Sequence, residues 1–179
     1  MPQIARRAGV SPKTIEALYG TKARLLAATV TYAIRGDVEP VGMLRRPHIR
    51  AMEAVESAAE MLERHAQHLR WVNERSAGIA FVVEQAARTE ADVHALWDQM
   101  NQNRLVGIRW ARRTLLRKPG MDHLRPRWVE RVFLVAFDWG TYRVLTEVGG
   151  MSSASYEAWL NDYYRKMFLD GGSREGRRK

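Results

Sequence analysis

The amino-acid sequence predicts an all-α protein. Apolar residues recur at steps of three and four almost throughout, and no strand-like alternation stands out. Residues that start helices (Ser, Thr, Pro) and residues that stop them (Gly, Pro) punctuate the chain at helix-length intervals. With 46% hydrophobic residues in 179, the chain has enough apolar material for a folded core.

The elements follow in order. Residues 4–8 read as a helix ended by Gly9, which takes a positive φ without steric cost. Ala5 and Ala8 are small enough for a crossing helix to approach, and Val10 is expected to point inward and lock the turn. Ser11 caps a second helix, with Pro12 at its first position, where a missing N–H is harmless. Ile15 and Leu18 share one face of it; Lys13, Thr14 and Ala17 share another. Gly20 ends it, Thr21 caps the next helix, and that helix runs from Lys22 to Arg35 and ends at Gly36.

A loop is expected over 37–47, which contains Pro40, Gly42 and Pro47. A helix then carries Met52, Val55, Ala59, Leu62, Ala66 and Leu69 on one face, with a break expected near Gln67–Arg70. Another helix runs from Val72 to Ala87. Thr89 is the expected cap of a long helix over Glu90–Arg117, stopped by Lys118-Pro119-Gly120. Residues Pro126–Val148 read as one helix apolar over most of its circumference, hence buried on more than one side. After Gly149-Gly150, Ser152 or Ser153 caps the last helix.

The segment Ile4–Leu26 resembles the TetR family of bacterial transcriptional regulators. The match lies in Ile-Ala-x-x-Ala-Gly-Val-Ser, followed by Tyr-Gly-Thr-Lys-x-x-Leu-Leu. The resemblance implies an N-terminal helix-turn-helix that reads operator DNA and a helical body that binds an effector and dimerises. The implied divisions are 1–36, 37–170 and a basic flexible tail at 171–179. Two positions depart from the family pattern. That family places a full helix before Ile4, where this sequence has three residues, so an incomplete three-helix module is expected. Glu16 stands where an aromatic residue often holds the DNA backbone, and a carboxylate there repels phosphate.

Candidate residues follow. For DNA they are Ser11, Lys13, Thr14, Ala17, Tyr19 and Lys22, the last two at positions that grip the backbone in the family. An apolar or aromatic effector is expected in a pocket drawn from Trp71, Phe81, Trp97, Met100, Trp110 and Trp128. A homodimer interface is expected at Phe133, Phe137, Trp139, Tyr156, Trp159, Leu160 and Tyr163, because one body cannot bury two such aromatic helices.

The net charge of +9 and pI near 10.3 point to a polyanion partner, and double-stranded DNA is the one the motif favours. The absence of cysteine excludes thiol chemistry and favours the cytoplasm; no membrane-length apolar run is present. His65 and His68 are too few for a metal site and read as exposed residues on a polar face. No catalytic motif appears, so no catalytic residue, metal or cofactor is expected. Two functions lead, a ligand-responsive transcriptional repressor or a dimeric small-molecule-binding protein that has lost DNA binding, with a small all-helical enzyme on an apolar pocket as the third.

Overall fold

A computed structural model describes residues 1–170; the tail expected at 171–179 lies outside them. Among the described residues every regular element is helical. Helices α1 (Pro2–Ala8) and α2 (Pro12–Tyr19) are joined through Gly9, at φ 68°. The Ser11 hydroxyl accepts a bond from the Thr14 N–H at 3.1 Å, so it caps α2 as expected. Thr21 caps α3 (Lys22–Arg35) by accepting from the Arg24 N–H at 3.2 Å.

The loop after α3 passes through a 3₁₀ turn (Met43–Arg45) into α4 (Pro47–Ala54). It is closed by one ion pair. Arg46 donates from both terminal nitrogens to the Asp37 carboxylate, at 2.5 and 2.7 Å. That guanidinium holds the Asp37 carboxyl down at about 2.

Helix α5 (Ala58–Ala86) is the axis of the body. Against it pack α3, α4, α6 (Ala91–Leu116), α8 (Trp139–Arg143) and α9 (Ser153–Tyr164), while α7 (Pro126–Ala136) packs on α6. Wide π-helical turns extend α8 over Val144–Val148 and α9 over Arg165–Leu169. The main core draws on every helix from α3 to α9; Ala5 and Ile15, the buried residues of α1 and α2, lie outside it.

Three boundaries differ from expectation. The break expected near Gln67–Arg70 is absent, since no Gly or Pro interrupts that stretch and Leu69 is buried within α5. The interruption falls instead at Val55–Ser57, where Ser57 accepts from the Glu60 N–H at 3.3 Å and restarts the helix. Pro126–Val148 is not one helix. It turns at Phe137 and Asp138, and the Asp138 carboxylate accepts from the Thr141 N–H at 2.8 Å to cap α8. Thr89 is not the cap of α6; its hydroxyl donates back to the Ala86 carbonyl, and Glu90 takes the cap position.

The open end of α4 is satisfied from a distance. Lys118, just past α6, donates its ammonium to the Glu53 carbonyl at 2.7 Å and to the Val55 carbonyl. Glu53 lies in the last turn of α4 and Val55 is the residue that ends it, where a cation also favours the helix dipole. Lys118→Met is expected to lower stability by about 2 kcal/mol, measured as a lower urea midpoint.

The centre of the core is a histidine. His65 is fully buried, against the expectation of an exposed residue. Its ring lies 5.3 Å from Phe133, 5.1 Å from Phe137 and 5.6 Å from Tyr164, and its Nδ1 shares a 2.7 Å hydrogen bond with the Tyr164 hydroxyl. Burial holds the imidazole neutral down to about 3, against an ordinary value of 6.5. In that window the unfolded chain binds the proton and the folded chain does not. Stability is therefore expected to be full above pH 6.5 and to fall toward pH 3, by on the order of 1 kcal/mol per pH unit for this residue. Urea midpoints between pH 7 and 4 should show a shallower slope in His65→Gln.

Candidate functional site

The N-terminal helices present an open polar face. Ile15 is buried, while Ser11, Lys13, Thr14, Ala17 and Lys22 are exposed and Tyr19 is half-buried. Lys13 and Thr14 stand in the first turn of α2, and Lys22 opens α3. The Ser11 hydroxyl is engaged locally, with the Thr14 N–H and, at 2.9 Å, with the Thr14 hydroxyl. Glu16 lies exposed on the same short helix. Val10 does not point inward. It is 42% exposed, Ile4 is 47% and Leu18 is 71%, so much of the pair's apolar surface is uncovered.

The end of α3 is seated on α5. Gly36, at φ 85°, lies so close to Trp71 that a Cβ there would fall 2.8 Å from the indole. Arg75 lies over the same indole, 3.4 Å from the ring centroid, and donates to the Ala33 carbonyl at 2.6 Å. Trp71 thus carries the C-terminus of the helix that joins the N-terminal pair to the body.

Among the described residues, two clefts on the body bring candidate residues together. The first, about 450 Å³, lies between α4 and α5 and is lined by His48, Ala51, Met52, Arg64, Gln67, His68 and Trp71. The second, about 350 Å³, lies among α5, α6 and α8, and its walls include Phe81, Trp97 and Trp139 with Arg104, Asp138, Arg143 and Glu84. There Arg104 donates to Asp138 at 3.0 Å, and the Arg143 guanidinium sits 3.7 Å from the Phe81 ring centroid.

The expected effector residues are therefore split. Trp71 lines the first cleft; Phe81 and Trp97 line the second. Met100 and Trp110 are buried, Trp128 is half-buried against the core, and none of the three lines either cleft. The polar members of both clefts went unrecognised in the sequence. Arg104 and Asp138 are 34 residues apart, a spacing that no helical repeat connects.

The expected dimer residues need correction as well. Phe133, Tyr156 and Leu160 are fully buried inside the single chain and Trp139 nearly so, leaving them nothing to offer a partner. The reason is packing: Tyr156 and Tyr142 meet edge to face at 4.7 Å, and Phe133 packs on Phe168 and Tyr164. Phe137 is half-buried and presses on Gly107, where a Cβ would come within 2.9 Å. Trp159 and Tyr163 stay half-buried, stacked on each other at 5.4 Å.

Among the described residues no three His, Asp or Glu side chains cluster in a way that could hold a metal ion. No described helix is long and apolar enough to cross a membrane. In comparisons with known proteins, the chain matched no protein-family model, no curated sequence and no solved structure.

Gly36→Ala tests the seat of α3. The added methyl would meet the Trp71 indole, and alanine at positive φ is itself strained by roughly 1–2 kcal/mol. The variant is expected to unfold at lower urea concentration, with altered Trp emission in the native state.

Proposed function

We propose that this chain is a ligand-responsive DNA-binding transcriptional regulator, acting as a repressor, whose α2 enters the major groove. One observation carries the reading: an exposed short helix, capped by Ser11 and opened by Lys13 and Thr14, set in a strongly basic segment. Residues 1–36 contain Arg6, Arg7, Lys13, Lys22, Arg24 and Arg35 against Glu16 alone. That imbalance suits a phosphate backbone, with Lys13 and Thr14 near base edges and Tyr19 and Lys22 on phosphates. The sequence resemblance over Ile4–Leu26 supports the same reading. Two copies pair through remaining aromatic surface such as Trp159 and Tyr163, and so present two reading helices to a palindromic site.

The body supplies the response. A molecule that prefers one seating of α3 on Trp71 shifts the population of that seating, and the N-terminal helices move with it.

The uncovered apolar side chains of Ile4, Val10 and Leu18 favour a second reading, a ligand-binding dimer that does not engage DNA. Selection of duplexes from a random pool, followed by titration at several salt concentrations, separates the two. The regulator reading expects a palindromic consensus and an affinity that falls steeply with salt. Lys22→Ala is expected to weaken all sequences about equally and to flatten the log–log salt slope by about one. No retained duplex at low salt rejects DNA binding and leaves the second reading.

A further inference from the structure

The α4–α5 cleft has one sign of charge. Its lining contains Arg64 and two imidazoles, His48 and His68, and no carboxylate. Other cations stand close by. Arg46, at the start of α4, acts on His48, and Arg75, on α5, acts on His68, while Asp37 and Glu60 are held by Arg46 and Arg64 at 2.5 and 2.6 Å. Tyr32 and Asp37, at the end of α3, and Glu74, on α5 itself, face Arg75.

The rest of the lining is apolar or aromatic. Met52 is buried, Ala51 lies beside the opening, and the Trp71 indole is 37% exposed. The His48 and His68 rings lie 5.2 Å apart, and the His68 ring stacks against the indole at 6.1 Å. An apolar surface beneath a guanidinium, with uncharged imidazoles that can donate a hydrogen bond and no carboxylate in the lining, fits an amphiphilic anion better than a cation.

We propose that this cleft binds a small organic acid with an aromatic body, its anion held by Arg64 and His68 and its ring lying against Trp71 and Met52. The acid draws a proton onto His68. In the free protein that imidazole is pushed down to about 3, chiefly by loss of water and further by His48 and Arg75. An anion at bonding distance reverses the balance and favours the imidazolium. Binding therefore strengthens as pH falls. The same indole seats Gly36, so the acid touches the residue on which α3 rests. That regulatory sense depends on the regulator function proposed above; the binding does not.

The test is calorimetric titration of the free protein with 1-naphthoate and with neutral 1-naphthamide. Naphthoate is expected to bind about tenfold more tightly than the amide. If His68 regains its ordinary value near 6.5 in the complex, affinity at pH 6 exceeds that at pH 8 by about fourfold. Proton uptake should appear as a heat that varies with the buffer's ionisation enthalpy. Arg64→Met, at an exposed position, is expected to lose the preference for acid over amide, and His68→Gln to lose the pH dependence. Equal affinity for acid and amide in the unmodified protein overturns the site, as does naphthoate affinity untouched by either substitution. Naphthoate binding by a protein that retains no DNA upholds the site and rejects the regulator function. A regulator whose DNA affinity ignores bound naphthoate overturns the coupling through Trp71.

Discussion

The body is organised by a polar register buried along one face of α5. His65 bonds Tyr164 at 2.7 Å, and eight residues further on Asn73 donates to Tyr156 at 3.1 Å, eight residues back on α9. Three residues later Ser76 accepts from the Trp139 indole N–H at 3.1 Å. Arg70 adds a 2.6 Å bond to Glu157 at the margin. Each such bond adds only about 1 kcal/mol net when made. Its force lies in the alternative, because sliding α9 along α5 would leave several dry polar groups unpaired. Burial keeps both tyrosines protonated, holding the Tyr156 hydroxyl up at about 12 and that of Tyr164 well above its usual value. The two tyrosine hydroxyls thus stay available as hydrogen-bond donors and acceptors at neutral pH.

The same helix carries the connection to the N-terminus. Its outer side bears Trp71 and Arg75, against which Gly36 and the Ala33 carbonyl rest. The loop that follows is pinned by Asp37 and Arg46. A rigid α5 with α3 seated on it gives the N-terminal helices a defined attachment although they bury little of their own. Any change at Trp71 reaches α3 through direct contact, so no longer chain of side chains needs to be invoked.

Much of the fold was readable from local chemistry. The caps at Ser11 and Thr21 and the stop at Gly36 act within one turn, so their residue types announce them, while for the last cap residue type leaves Ser152 or Ser153, and it is Ser152. The structure departs from local expectation where two local signals compete. Ser57 followed by Glu60, and Asp138 followed by Thr141, start helices just as Ser11 does, but each sits inside a stretch of continuous helical periodicity that masks it. Of the candidate site, the exposed face of α2 followed from periodicity, whereas the clefts did not. Trp71 meets His48 from another helix, and Phe81 meets Arg143 from a third, through contacts that carry no signature in either stretch.

Composition and periodicity were enough for the helical class, most helix ends and the basic character of the N-terminal segment, because each depends on neighbours along the chain. Which aromatic residues face solvent was another matter. Tyr156 and Leu160 stand four residues apart on α9, as Trp159 and Tyr163 do, yet the first two, like Phe133 on α7, vanish into the chain's own core and the last two do not. Only the packing of α9 on α5 and α7 separates them. A helix repeats its faces along its axis, and the neighbour that lies against each face is set by the whole fold.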